Sequence, residues 1–204
     1  MAGTDFDTLL RRIEGLSPNA ARCLIAIAGP PASGKSTLAA ELAEHLGAIA
    51  MVLPMDGFHL DNAELSDLGL LDRKGAPETF DAQGFVDLVQ NLRETPVLTV
   101  PTFDRAADKT IPAGDRIGPD TQIVLIEGNY LLLNTTPWAQ LKNAFDLTVS
   151  LRVEHDELER RLVERWYTHG LSHRDALKRA RENDLRNADF VDEHSYPADV
   201  VYLG

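Results

Sequence analysis

The stretch Cys23-Leu-Ile-Ala-Ile-Ala28, followed by Gly29-Pro-Pro-Ala-Ser-Gly-Lys-Ser36, decides the fold. Its first part is a continuous apolar run that glycine and proline end, the pattern of a strand buried on both faces of a parallel sheet. Its second part fits the P-loop pattern G-x-x-x-x-G-K-[S/T], and a helix is predicted directly after it, from Lys35 to Leu46. Because this pattern requires a strand before it and a helix after it, the flanks favour a P-loop over a glycine turn that caps an ordinary helix.

A P-loop predicts a binding site for ATP and Mg²⁺. The backbone N–H groups of a glycine-rich turn converge on phosphates at a helix N-terminus, where the helix dipole favours negative charge. We expect Lys35 to reach the β- and γ-phosphates, the Ser36 hydroxyl to ligate Mg²⁺ and Thr37 to contact the α-phosphate. The predicted nucleotide-binding residues in this loop are Gly29, Pro30, Pro31, Ala32, Ser33, Gly34, Lys35, Ser36 and Thr37.

Predicted helices and strands alternate along the rest of the chain. A short amphipathic helix is predicted over 6–16, and further strands over 49–55, 122–126, 145–153 and 198–203. Helices are predicted over 78–94, from about residue 136 and, as a pair, within 154–186. This alternation predicts an α/β fold of the P-loop nucleoside triphosphate hydrolase type, with a parallel sheet and helices on both faces. No linker divides the chain, so we expect one domain over 1–204 with a helical lid over about 154–186.

Composition narrows the class of protein. The chain has 204 residues, with 20 Lys plus Arg and 32 Asp plus Glu, a net charge of −12. That charge argues against nucleic acid as a partner, because binding phosphates along a duplex needs a basic face. The single cysteine cannot form an internal disulfide, and we find neither an export signal nor a membrane-spanning run. We therefore expect a cytoplasmic protein without membrane insertion; the sequence is compatible with a homodimer.

Two carboxylates follow predicted buried strands. Glu127 comes directly after Ile123-Val-Leu-Ile126, and Asp56 follows the strand predicted over 49–55. Because parallel strands end at the same edge of a sheet, we expect both acids beside the P-loop, with Glu127 as the second Mg²⁺ ligand. Asp56 is predicted to accept the proton of an acceptor hydroxyl, and nearby His59 to position the substrate. The alternatives are a solvated strand-end glutamate and an aspartate that caps a turn.

Positive charge collects near the C-terminal end. Residues 160–186 carry eight basic and four acidic side chains, whereas residues 51–100 carry nine acids and three bases. Arg161 and Arg165 lie four residues apart and share a helix face, where closure over ATP would neutralise charge on the transferring phosphoryl group. Arg73 and Lys74 could bind an anionic acceptor or belong to a solvated loop, and Arg105 lies in a similar irregular segment.

Five motifs occur together in this chain: the P-loop, Met55-Asp-Gly-Phe58, Arg73-Lys-Gly-Ala-Pro-Glu-Thr-Phe-Asp81, Pro101-Thr-Phe-Asp104 and Ile126-Glu-Gly128. With these motifs the chain resembles the superfamily of phosphoribulokinases, uridine kinases and bacterial pantothenate kinases, and the resemblance covers nearly the whole chain. Within that superfamily the chain is similar in particular to bacterial proteins known as fructose transport system kinases or nucleoside/nucleotide kinase family proteins.

The resemblance implies ATP- and Mg²⁺-dependent transfer of a phosphoryl group to a hydroxyl of a small metabolite, such as a sugar, a nucleoside or a pantothenate-like molecule. It implies Asp56 as catalytic base and lid arginines at Arg161, Arg165 and Arg174. We therefore predict Asp56, Lys35 and Arg165 as catalytic residues. The predicted substrate-binding residues are Asp56, His59, Arg73, Lys74, Arg105 and Arg174. The alternative function is a regulator that binds or slowly hydrolyses ATP beside a sugar transport system.

Overall fold

The computed structural model describes residues 3–16 and 22–203, and its centre is a five-stranded parallel sheet in the order β2-β5-β1-β6-β7. The strands are β1 (Cys23–Ala28), β2 (Ala50–Pro54), β3 (Leu98–Asp104), β4 (Lys109–Ile117), β5 (Ile123–Gly128), β6 (Leu147–Arg152) and β7 (Val200–Leu203). The helices are α1 (Phe6–Glu14), α2 (Lys35–Leu46), α3 (Asn62–Asp67), α4 (Ala82–Asn91), α5 (His155–Thr168), α6 (His173–Arg179) and α7 (Leu185–His194).

The apolar runs of the sequence are the centre of this sheet. Every residue of β1 and β5 is buried, and a separate apolar cluster covers each face of the sheet. One cluster includes Leu9 and Ile13 of α1 together with Leu42 of α2, whereas the other includes Phe85 of α4 and Trp138. The predicted α/β fold with a parallel sheet between helices is therefore confirmed, and the predicted bounds of β1 and α2 are the observed ones.

Three helix predictions differ from the structure. The helix predicted over 78–94 begins only at Ala82, because Asp81 caps it by accepting from the Gly84 N–H and Pro77–Thr79 forms a separate 3₁₀ turn. The helix predicted from about residue 136 is a 3₁₀ turn over Trp138–Leu141. The pair predicted within 154–186 is longer, because a π-helical turn, Ala180–Asp184, joins α6 to α7 and helical structure continues to His194.

The antiparallel hairpin β3–β4 was not predicted. It lies outside the main sheet, and half of its strand residues are exposed while only two are buried, so no continuous apolar run indicates it in the sequence. The hairpin packs on the turn that follows β2. There a Cβ added to Gly57 would lie 2.4 Å from the main-chain oxygen of Pro101, so only glycine allows this approach.

A buried arginine ties the segments around the hairpin to the sheet. Arg22, at the start of β1, is 8% exposed. Its guanidinium donates to main-chain oxygens on both sides of the hairpin, at 2.7 Å to Leu92, Thr95 and Gly118, 3.1 Å to Thr121, and also to Pro96. Since all of these partners are carbonyl groups, the arginine satisfies loop backbone that would otherwise be buried without donors.

Residues 3–16 and 22–203 contain no helix with the length and apolar character needed to cross a membrane.

Replacement of Gly57 by alanine is expected to destabilise the fold, because the new Cβ and the Pro101 oxygen cannot both keep their positions. The expected loss is about 1–3 kcal/mol in the free energy of unfolding, the usual range for overpacking, measured by urea denaturation. Gly118→Ala is the matched control, since a Cβ there meets no heavy atom within 4 Å. Equal losses in both variants would show that the contact with the hairpin does not matter.

Candidate active site

Three strand ends of the parallel sheet meet at one edge. Glu127 of β5 lies in register with Ile27 of β1 and with Pro54 of β2. The P-loop follows β1 directly, and Asp56 comes two residues after β2 ends. The pairing therefore brings the phosphate loop and the two predicted carboxylates to the same edge, as parallel strands require.

The P-loop closes tightly on itself. Ala32 and Gly34 have positive φ angles of 62° and 95°, and the Ser33 N–H donates to the Pro30 oxygen at 3.2 Å. A Cβ at Gly29 would lie 2.7 Å from the Ser33 Oγ, so the first glycine permits the turn. No side chain caps the first turn of α2, and no acidic residue lies in it. Its N–H groups are thus available to an anion, which the helix dipole favours.

Lys35 is the centre of the charged groups at this edge. Its Nζ donates to the Pro30 oxygen at 3.3 Å. Burial lowers the pKa of Lys35; the carboxylates of Glu127 and Asp56 oppose that shift, and the guanidinium groups of Arg165 and Arg105 add to it. Two acids and two arginines from four different segments therefore act on this lysine.

Glu127 is 5% exposed. Burial raises the pKa of this carboxyl group, whereas Lys35 and the Ser36 hydroxyl lower it. A carboxylate and a hydroxyl oxygen beside a phosphate loop suit Mg²⁺, which prefers oxygen ligands and usually takes only one or two from the protein. In the described ranges no group of three or more His, Cys, Asp or Glu side chains could hold a metal ion. The ligands present therefore fit Mg²⁺ bound together with nucleotide phosphates.

Asp56 is paired with an arginine of the hairpin. The Arg105 Nη2 lies 2.5 Å from the Asp56 Oδ2, and the arginine side chain is 57% exposed. The main-chain oxygen of Asp56 lies 2.9 Å from the His59 Nδ1, and the His59 ring packs between Phe80 and Phe103, with ring centroids 4.0 and 4.8 Å away. Thus His59 supports the Asp56 turn, and Arg105 contacts its carboxylate.

The arginines of α5 differ in their partners. The Arg161 Nε lies 2.7 Å from Glu157, and Arg160 pairs with both Glu157 and Glu164. Within the part of the chain that the structure describes, Arg165 has no carboxylate at ion-pair distance, and its charge acts on Lys35. Of these three arginines, Arg165 is the one whose charge remains available to a phosphate.

The other predicted binding residues have different surroundings. The Lys74 Nζ lies 2.6 Å from the Asn62 Oδ1 and 2.8 Å from the Asp108 Oδ1, so its charge is already compensated. Arg73 makes a 3.4 Å ion pair with Glu78. The Arg174 side chain is exposed in the first turn of α6 and makes no hydrogen bond or ion pair within the described part of the chain. Thr37 lies exposed in the first turn of α2.

Sequence reasoning missed the residues that attach helices α5 and α6 to the rest of the protein. Arg179 donates to the main-chain oxygens of Asp72 and Lys74 at 2.8 and 2.9 Å, and its guanidinium lies over the Trp166 ring, 5.2 Å from the centroid. The Trp166 Nε1 donates to Asp184 at 2.5 Å. Trp166 lies on the same helix as Arg161 and Arg165, and nothing in the sequence pattern indicates that its partner is eighteen residues away.

His59 is expected to be neutral at pH 7. Burial against the two phenylalanine rings lowers the pKa of His59, and Asp56 only partly offsets that shift. Titration of its imidazole by NMR should therefore give a pKa below the value of about 6.5 for an unperturbed histidine, and Phe103→Ala should move the pKa back toward that value. A His59 pKa at or above 6.5 in the intact protein would contradict the burial argument.

Comparison with known proteins shows the family of the chain. A family model described as an AAA domain (AAA_18) matches residues 25–185. "Putative uridine kinase C227.14" of Schizosaccharomyces pombe is 35% identical over 211 residues, covering 97% of this chain and 90% of that protein. The crystal structure of a "putative fructose transport system kinase" from Silicibacter sp. TM1040 is 44% identical, with a TM-score of 0.92 over 98% of this chain and 100% of that one.

A more distant structure shares the fold alone. The "Possible Uridine Kinase" of Bacillus stearothermophilus has a TM-score of 0.70 at 22% identity, over 97% of this chain and 96% of that one. The chain belongs to the family of P-loop kinases that contains these relatives, which are named as a putative uridine kinase and a putative fructose transport system kinase.

Proposed function

We propose that this kinase transfers the γ-phosphoryl group of Mg-ATP to a hydroxyl group of a small metabolite. The observation that carries the proposal is the strand pairing that brings the P-loop, Asp56 and Glu127 to one edge of the sheet, where the charges of both acids and of Arg165 affect the pKa of Lys35. Phosphoryl transfer needs little covalent chemistry from a protein, because catalysis rests on positioning and on stabilising charge. The groups at this edge of the sheet are those that such a reaction uses.

The phosphates of ATP would bind at the P-loop, where the open N–H groups of α2 and the Lys35 ammonium meet negative charge. Ser36 and Glu127 are the side chains that would hold Mg²⁺, which supplies positive charge to the phosphate oxygens. ATP binding would also give the buried Lys35 charge a partner outside the protein. The buried Glu127 carboxylate would gain one in the same way from Mg²⁺, so both groups are better compensated in the loaded site.

Asp56 is the residue that would act on the acceptor hydroxyl. Its carboxylate would orient the hydroxyl group in line with the γ-phosphoryl group and accept its proton. Arg105 contacts that carboxylate in this structure, so an acceptor hydroxyl must share Asp56 with Arg105 or displace it. Because Arg105 is largely exposed, displacement costs little: exposed ion pairs are typically worth about 0–1 kcal/mol.

The segment over about 154–186 would act as the lid of a single kinase domain. Arg165 would neutralise charge on the transferring phosphoryl group, and closure would exclude water that otherwise hydrolyses ATP. Arg161 can contribute only if it exchanges Glu157 for a phosphate. The attachment of Arg179 to the main chain of residues 72 and 74 links the position of the lid to a loop beside the acceptor site.

The acceptor is a hydroxyl-bearing molecule such as a sugar, a nucleoside or a pantothenate-like compound. A sugar is supported by the relative whose name mentions fructose transport, and a nucleoside by the relative whose name mentions uridine. A second candidate function, a nucleotide-dependent regulator of a sugar transport system, is favoured by one observation: Asp56 is already paired with Arg105. A panel of these acceptors in a coupled ADP-release assay separates the two functions, because only a kinase for such a molecule shows acceptor-stimulated release.

Asp56→Asn is expected to lower turnover at least about 100-fold, the usual contribution of a positioned acid or base. ATP affinity by calorimetry should stay nearly unchanged, since the P-loop is intact. Asp115→Asn on the exposed part of β4 is the matched control and should keep full activity. An Asp56→Asn enzyme with wild-type turnover would refute the role of base.

Arg165→Ala should reduce the turnover number much more than the affinity for ATP, because the arginine acts on charge that develops during transfer. Arg160→Ala removes the same charge from the same helix but loses only pairs with Glu157 and Glu164. We expect Arg160→Ala to retain activity within about twofold, given how little such exposed pairs contribute. If steady-state kinetics show equal effects of both substitutions, Arg165 is a surface residue only.

A further inference from the structure

A cavity of about 570 Å³ lies away from the P-loop edge. It is bordered by the segment over 73–82, the turn over 135–138 and helix α7. Neither the P-loop nor Asp56 nor Glu127 lines it. Its volume is within the range of about 300–1,000 Å³ that is usual for small-molecule sites.

The walls of the cavity are largely apolar and flat. The rings of Phe80, Trp138 and Phe190 line it together with Pro77 and Pro137. Phe80 and Trp138 are themselves held in place, because they belong to the buried aromatic cluster around Tyr130. The apolar part of the site is therefore preformed and suits a planar or compact apolar group.

One polar group in the wall has no partner. Asn187 is 3% exposed and lines the cavity, and its Nδ2 has no hydrogen-bond acceptor in the described part of the chain. Buried amide donors are almost always paired in folded proteins, so an unpaired one beside a cavity indicates a ligand that accepts a hydrogen bond. This observation is independent of the size of the cavity.

The charged groups of the wall favour an anion. Arg73 and Arg186 both line the cavity, and Glu78 is the single acid among the lining residues. Arg73 shares its charge with Glu78 in a long, exposed ion pair of 3.4 Å. Arg186 makes no ion pair with the residues that the structure describes. The wall therefore carries a net positive charge next to the unpaired amide donor.

We propose that this cavity binds a small anionic molecule with a planar or compact apolar body, at a site separate from that of phosphoryl transfer. The anionic group would accept from Asn187 and pair with Arg186, and the apolar body would lie against Trp138 and Phe190. The ligand differs from the acceptor, because the Phe80 ring lies between the cavity and His59, whose Nδ1 contacts the main chain of Asp56. The segment over 73–80 borders the cavity and also bonds to the lid through the Lys74 oxygen.

Tryptophan fluorescence tests the site without any assay of kinase activity. The chain has two tryptophans, so Trp166→Phe leaves Trp138, in the cavity wall, as the sole reporter. The probes are phenyl phosphate and phenylacetate, which distinguish a phosphate from a carboxylate, and neutral benzyl alcohol. We expect a saturable change in Trp138 emission with at least one anion, at an affinity at least tenfold higher than that of benzyl alcohol.

Two variants in the Trp166→Phe background locate the binding. Arg186→Ala should weaken binding of the anion at least tenfold, whereas Arg181→Ala, which removes an exposed arginine that pairs with Glu159 outside the cavity, should leave it unchanged. Asn187→Leu should abolish the preference for anions while circular dichroism shows an intact fold. The proposal is overturned if no probe saturates, if benzyl alcohol binds as well as the anions, or if the two arginine variants behave alike.

Discussion

The structure depends on the parallel pairing of β1 with β5. Both strands are buried along their whole length, and residues 23–28 pair in register with residues 123–128. A slip of one residue would turn every side chain of a strand to the opposite face, so the two apolar clusters hold this register. Through it, Glu127 lies opposite Ile27, two residues before the P-loop begins, and the pairing of β2 with β5 brings Asp56 to the same edge.

That arrangement places unlike charges in a partly dry site. Burial raises the pKa of Glu127 and lowers the pKa of Lys35, so for each group the charged form is the disfavoured one, and each partly stabilises the charge of the other. Burying such a pair of charges costs free energy in the protein without ligands. Ligands that bring opposite charges stabilise both groups. The proposed binding of a polyanion together with a divalent cation would relieve this electrostatic imbalance, although the whole chain carries a net charge of −12.

The sequence predicted the secondary structure well where a segment is buried along its whole length, and poorly where the segment is exposed. The bounds of β1 and α2 were predicted as observed, because an apolar run and a glycine-rich loop leave few alternatives. The β3–β4 hairpin was not predicted, because half of its strand residues are exposed. Its tight contact with Gly57 joins residues that lie far apart in the sequence. The short turn over Trp138–Leu141 was mistaken for the start of a longer helix because proline, here Pro137, is common in the first turn of a helix.

The sequence by itself determined the phosphate loop, the strand and the helix that flank it and the sheet edge at which Asp56 and Glu127 meet, because these follow from local patterns and from the geometry of parallel strands. Only the tertiary structure decided which positive charges are available. Arg105 reaches Asp56 across forty-nine residues, and Lys74 is compensated by Asp108. Among the described residues, Arg165 lacks the kind of carboxylate partner that Arg161 has. The physical reason is that an ion pair depends on side chains that distant segments bring within a few ångströms, and no spacing along the chain encodes that distance.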